Sequence, residues 1–229
     1  MRCIILFAKA PVPGEVKTRL SPHLSPEDAA LVQEAFIFDT LATLQSCKGV
    51  DLYIACHPSA KHPFYEEAQK RFTLTLIGQG AGHLGDRMKR VISQLKSAGY
   101  DEIVVLGSDS PSIPVKMIDD SFERLKKSDL VIGPSIDGGY YLIGFSGELP
   151  PIFDGINWGT ESVFSETMER LKDSDIDCSV LPYWYDVDTI KELRFLEIHL
   201  ASLEKEVCRE TRKVFNESYK SPSFGWGQS

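Results

Sequence analysis

Apolar residues fall into two rhythms along this chain. Short unbroken runs rich in β-branched residues alternate with longer stretches where apolar positions recur every three or four residues. The first rhythm suits strands buried on both faces, the second helices with one face in a core. The runs predict strands over 2–7, 52–56, 72–77, 102–106, 130–133, 140–145 and 178–181. Helical spacing predicts helices from Ser25 to about Cys47, over 64–70, 84–95, 117–126 and 161–171, and from Ile190 to about Glu206. Ser25-Pro26-Glu27-Asp28 marks a helix start, with a capping hydroxyl, proline in the first turn and acids facing the helix dipole. Alternating strands and helices imply right-handed crossovers and an α/β fold, its mostly parallel sheet covered on both faces.

Length and composition leave that picture intact. The 229 residues suffice for a substantial core, and 42% hydrophobic with 25% charged residues is ordinary globular composition. No repeat or linker interrupts the pattern, so one domain is expected over 1–206, followed by an extension over 207–229. Whether the tail from Ser218 is loose or docks through Phe224 and Trp226 stays open. A net charge of −8 argues against a general nucleic-acid binder but permits a small anion at a local basic patch. Five scattered cysteines without a C-x-x-C pair fit buried thiols in a reducing compartment. The apolar start of the chain is too short for a membrane span and is interrupted by Lys9, so a cytoplasmic protein with no membrane partner is expected.

The candidate chemistry lies where runs end. Gly107-Ser108-Asp109-Ser110-Pro111 stops the strand over 102–106, because Pro111 donates no backbone hydrogen bond and restricts Ser110. Asp109 therefore lands just past a strand's carboxyl end, where open α/β sheets bind ligands. Capping of the next helix by Asp109 or Ser110 is the plainer alternative. After the first run, Pro11, Pro13 and Gly14 stiffen a loop, and residues 1–20 carry Arg2, Lys9, Lys17 and Arg19 against Glu15 alone. Lys17 and Arg19 supply a point charge and a bidentate fork, the two devices that grip phosphate oxygens. The same charges also suit a solvated loop, and the spacing is not that of a P-loop.

Asp137-Gly138-Gly139 lies between two strands. It is both a hairpin signal and a place where backbone could approach a substrate beside Asp137. Asp186 and Asp188, at i and i+2, share a side if extended, and a few carboxylates plus substrate phosphates suit Mg²⁺. Thr189 with Glu192 independently forms a capping box. Trp158 is a packing or stacking residue ahead of a helix that Thr160 can cap. The histidines have no metal-ligand spacing and read as structural or solvated.

Lys9 to Gly14 with Lys17-Thr18-Arg19-Leu20, Leu84 to Met88, Gly107 to Pro111, Gly133-Pro134 through Asp137 to Tyr141, Trp158-Gly159-Thr160 and Asp186-Val187-Asp188-Thr189 follow one another as in the DUF2064 family. The chain resembles that family, a glycosyltransferase-like group named for association with radical SAM and selenodomain proteins, over about residues 1–197. More distantly it is similar to the nucleotidyltransferases that make 2-phospholactate-guanosine, CMP-sugars and molybdopterin dinucleotides. The resemblance implies the nucleotide-diphospho-sugar transferase (GT-A) fold, a Rossmann-like three-layer α/β/α sandwich.

By the same resemblance Asp109 binds a metal, Mg²⁺ or Mn²⁺, with Asp188 and Asp186 as the second acidic position. Lys9, Lys17 and Arg19 fall in the phosphate loop, while Gln79, Gly85, Asp86 and Arg87 fall where relatives contact base and ribose. An acceptor would then approach from Asp137, Gly138, Gly139, Tyr140, Trp158 and Thr160. Departures from the family pattern are Gly159 in place of a serine and no proline after Thr189. The expected activity is nucleotidyl transfer from an NTP to a small phosphorylated or hydroxyl acceptor. A lysine-and-arginine grip favours it over glycosyl transfer from a nucleotide-sugar, and retained acids favour it over nucleotide binding without catalysis.

Overall fold

Seven apolar runs form the seven strands of one sheet in the computed structural model, which describes residues 1–172 and 174–218. The strands are β1 (Arg2–Lys9), β2 (Asp51–His57), β3 (Thr75–Gly78), β4 (Glu102–Gly107), β5 (Leu130–Pro134), β6 (Tyr140–Ser146) and β7 (Cys178–Val180). The helices are α1 (Pro26–Leu44), α2 (Pro63–Arg71), α3 (Leu84–Ser97), α4 (Val115–Leu125), α5 (Val163–Leu171), α6 (Ile190–Ser202) and α7 (Arg209–Ser218). Phe224 and Trp226 lie outside the described residues.

Strand order is β3-β2-β1-β4-β6-β5-β7, and β6 alone runs antiparallel to its neighbours. Both faces of the sheet are covered, because successive β1 residues alternate between two cores. Ile4, Leu6 and Ala8 pack with Ile37, Phe64 and Ile118 from α1, α2 and α4. Cys3, Ile5 and Phe7 pack with Met88, Val91 and Leu171 from α3 and α5. Burial on both sides is why the parallel strands read as continuous apolar runs rather than alternating ones. Among the described residues no helix is long and apolar enough to cross a membrane.

Two shifted boundaries and one added helix depart from expectation. The strand predicted from residue 72 begins at Thr75, because α2 runs on to Arg71 and Phe72 instead packs on Phe38, with ring centroids 6.0 Å apart. The last predicted helix stops at Ser202, where Leu203 turns extended (ψ 162°). A further helix, α7, follows. It closes a third core in which Phe215 and Cys208 meet Val32 and Phe36 of α1 and Leu196 of α6.

Asp39 of α1 anchors α7. Its buried carboxylate accepts from Glu210 N (2.9 Å), Thr211 N (2.8 Å) and Thr211 Oγ1 (2.6 Å). An acid from another helix thus supplies the cap for the first turn of α7. Burial nevertheless raises the Asp39 pKa, with the Thr211 and Glu210 hydrogen bonds opposing the shift. Asp39→Ala is expected to cost about 1–3 kcal/mol by orphaning those amides. Hydrogen exchange at Glu210 and Thr211 should accelerate far more than exchange in β1, a contrast readable by NMR or mass spectrometry.

Candidate functional site

Because β6 is reversed, β1, β4, β5 and β7 all end at one edge of the sheet, the edge where β6 begins. The chain leaves β1 towards β2 on one side and later returns to β4 on the other. The diverging loops after β1 and β4 open the crevice characteristic of a topological switch point. Lys17 and Arg19 come from the loop after β1, Asp109 from that after β4, Asp137 from the β5–β6 turn, and Asp186 and Asp188 from the segment after β7.

Lys17 is the junction of these loops. Its side chain is 2% exposed, against 41% for Asp109 and 39% for Asp188. The ammonium makes a short contact to Asp109 Oδ1 and donates to Val187 O (2.7 Å) and Asp188 Oδ1 (3.1 Å). The Phe36 ring lies with its centroid 5.2 Å from Nζ, adding a cation–π contact. Burial alone would lower the Lys17 pKa, but Asp109 and then Asp188 outweigh it and hold the group above its ordinary value. The backbone at Lys17 is left-handed (φ 48°, ψ 37°), a conformation that strains a residue with a Cβ.

The loop after β4 is stitched to the segment after β7, which explains why Asp109 and Asp188 converge. Val187 N donates to Asp109 O (2.9 Å). Ser110 Oγ donates to Tyr185 O (3.1 Å) and makes a short contact to Asp186 Oδ1. Asp186 therefore faces Ser110, unlike Asp188, which meets Lys17. Burial, then repulsion from Asp109, raises the Asp186 pKa to about 7, with Asp137 adding to the shift and the Ser110 and Ser135 hydroxyls opposing it. Arg19, 68% exposed, reaches to 4.0 Å from Asp188 Oδ2.

Two cavities meet at Asp109 and Asp188. The larger, about 630 Å³, is walled by Phe7, Arg19, Asp137, Tyr140, Trp158 and Thr160 among others. The smaller, about 400 Å³, mixes both signs of charge: Lys9, Lys17 and Arg87 line it together with Glu15, Asp109 and Asp188, beside His57 and Gln79. Gln79 is buried and ties the lobe together. Its Nε2 donates to Ala8 O (3.2 Å) and Ala55 O (2.8 Å), while its Oε1 accepts from Arg87 (2.8 Å). Burial lowers the Arg87 pKa. Lys9 donates to Glu15 O (2.7 Å) across its own loop.

Several candidates shape the walls instead of lining the two cavities. Gly14 provides a left-handed turn (φ 78°) beside exposed Pro13. Asp86 caps α3 by accepting from His83 N (3.1 Å). Gly85 leaves room for the indole of Trp158, since a Cβ there would sit 2.4 Å from Trp158 Nε1. Gly138 lies against the start of α5, and Asp137 Oδ1 accepts from Gly139 N (3.0 Å), so Asp-Gly-Gly is a working hairpin turn of which Asp137 alone lines the larger cavity. Thr160, which does line the larger cavity, donates to Asn157 O (2.7 Å).

Sequence reasoning did not single out His57, which lines the smaller cavity 3.3 Å from Arg87. Burial, followed by Arg87 and Lys9, lowers its pKa. Its position at the carboxyl end of β2 was the available signal.

Chemically, Asp109 and Asp188 can hold a divalent cation. Among the described residues no group of three or more His, Cys, Asp or Glu has that capacity. Two carboxylates suffice for an ion whose remaining positions are filled by water and substrate phosphates. That both already share one cation, the Lys17 ammonium, while staying partly open to the cavities shows that the donor set suits a positive charge.

Comparison with known proteins agrees with this architecture. The profile of DUF2064, described as an uncharacterized protein conserved in bacteria, matches residues 40–160. The chain is 25% identical over 186 residues to a 2-phospho-L-lactate guanylyltransferase of Methanothermobacter thermautotrophicus, covering 80% of this chain and 79% of that one. A solved protein from Desulfovibrio desulfuricans G20, provisionally named a nucleotide-diphospho-sugar transferase, superimposes with TM-score 0.84 at 33% identity over 96% of each chain. A cytidylyltransferase from Leptospira borgpetersenii shares the fold at TM-score 0.54 and 17% identity, over 99% of this chain and 97% of that one. With the sheet order, the switch-point crevice and these similarities in agreement, the chain belongs to the DUF2064 family and is a transferase with the nucleotide-diphospho-sugar transferase fold.

Proposed function

We propose that this transferase moves a nucleotidyl group from an NTP to a small phosphorylated or hydroxyl acceptor, with release of pyrophosphate. The observation that carries the reading is the Lys17 ammonium shared by Asp109 and Asp188 where a cavity lined by Lys9, Lys17 and Arg87 meets an aromatic one. The similarity to a 2-phospho-L-lactate guanylyltransferase supports nucleotidyl transfer as the reaction class.

Such transfer needs charge neutralisation and alignment more than covalent help from the protein. A divalent cation held by Asp109 and Asp188 supplies Lewis-acid neutralisation of phosphate oxygens when bound. Lys9, Lys17 and Arg19 offer cations to the pyrophosphate that leaves, and the Gln79–Arg87 pair presents a fixed polar wall to the nucleoside. The acceptor occupies the cavity by Trp158 and Tyr140. Its oxygen attacks the α-phosphorus as the bond to pyrophosphate breaks. A hydroxyl acceptor passes its proton to the Asp137 carboxylate, whose Oδ2 is not used by the turn. Asp186 braces Ser110 behind the site.

The test is a thermal-shift screen of NTPs and nucleotide-sugars with Mg²⁺ or Mn²⁺, followed by product analysis. Pyrophosphate release from an NTP supports the proposal. Release of a nucleoside diphosphate from a nucleotide-sugar would replace it with glycosyl transfer, and binding without turnover would leave a nucleotide-binding protein.

A further inference from the structure

Lys17 is unusual for a lysine expected to meet phosphate. It does not project into solvent; its ammonium is buried beneath the two carboxylates that open to the cavities. Its Nζ is already engaged on several sides: by Asp109 and Asp188, by Val187 O, and by the Phe36 ring centred 5.2 Å from it. The strained left-handed backbone at Lys17 belongs to the turn that carries this side chain. An ammonium so placed satisfies the carboxylates electrically, and a bare divalent ion arriving at Asp109 and Asp188 would meet a fixed positive charge one hydrogen bond away.

We propose that Lys17 is a built-in counterion that keeps the Asp109–Asp188 seat closed to a free divalent cation and opens it to one arriving with phosphate. Phosphate oxygens offset the repulsion, because they give the ammonium new acceptors while the incoming cation takes over the carboxylates. The order of assembly follows: metal and polyphosphate bind together, and metal alone binds poorly. The inference rests on the assignment of Asp109 and Asp188 as the metal seat, but not on which group is transferred.

The experiment measures free Mn²⁺ by electron paramagnetic resonance as it is titrated into the full chain at fixed pH, without nucleotide. Lys17→Met should bind Mn²⁺ roughly tenfold more tightly than wild type, or better, since a cation beside the seat has been removed. Lys17→Arg, which keeps the charge, should bind as weakly as wild type. Equal or weaker binding by Lys17→Met would overturn the proposal, as would tight Mn²⁺ binding by the wild-type chain alone.

Because the methionine variant strips Asp109 of its lysine partner, leaves Asp188 with Arg19 alone and can fail to fold, a second measurement uses only the wild type. Its melting temperature should rise with Mn²⁺ and a non-hydrolysable NTP together, by more than the sum of the shifts from each alone. Additive shifts would overturn the proposal. Pyrophosphate release is read separately, so nucleotidyl transfer can fail while the Mn²⁺ result stands, and the reverse.

Discussion

Asp109→Asn is expected to lower NTP-dependent pyrophosphate release by on the order of 10²–10³-fold, the scale seen when one electrostatic contact to a transferring group is removed. The substitution keeps side-chain volume and leaves the Val187 N to Asp109 O link (2.9 Å) untouched, because that link uses backbone atoms. It removes one of two carboxylates that share Lys17 and halves the charge of the proposed metal seat. Lys17 retains Asp188 and Val187 O, so no buried cation is stranded. The stability cost should therefore be about 1–2 kcal/mol, below the penalty for a fully orphaned buried ion. Circular dichroism melts beside the activity assay separate the two effects. Full activity in a folded variant would remove Asp109 from the chemistry.

Gly138→Ala should be the most destabilising single change at the rim. Gly138 has φ 90°, where a side chain is strained, and a Cβ there would sit 2.0 Å from the carbonyl oxygen of Glu161. Neither obstacle yields to side-chain rotation, because the opposing atom is backbone. Relief requires the β5–β6 hairpin to pull away from α5 and break the Phe164 N to Gly138 O hydrogen bond (2.8 Å). The expected cost is about 3 kcal/mol or more, a fall in melting temperature of roughly 6–12 °C for a chain of this size. Gly139→Ala is the matched control. Its Cβ would come no nearer than 3.4 Å to another group, Asp137 Oδ1, and its φ is not in the left-handed range. Similar melting temperatures for the two variants would refute the close-approach argument.

The strands were readable from the sequence because burial on both faces turns each into an unbroken apolar run, as in Ile103-Val104-Val105-Leu106. The loss of residues 72–74 from β3 was not readable, since Phe72 is as apolar as a strand residue and serves the core from a loop. Helix α7 was hidden for the opposite reason. Its apolar anchors are few, and what fastens its start is a carboxylate 171 residues earlier in the chain.

At the rim, strand ends and stop signals brought Lys17, Asp109 and Asp188 to attention, and those three do meet. The different surroundings of Asp186 and Asp188 could not be seen, because the i, i+2 rule assumes a regular strand and this segment is irregular. Gly85 and Asp86 show a further limit: motif position does not distinguish a residue that faces the ligand from one that supports the wall. Here one makes room for Trp158 and the other caps α3.

The distance along the chain between Lys17 and its partners bears on biosynthesis. Asp109 is made 92 residues after Lys17, and Asp188 a further stretch later, 171 residues after it. At ribosomal speeds of about 5–20 residues per second, the lysine waits on the order of ten seconds or more for its second carboxylate. Until then the emerging polypeptide holds a cation that cannot be desolvated without loss, so the crevice closes only once the segment after β7 is made. Fragments released before that point should carry most of the sheet yet have no competent rim.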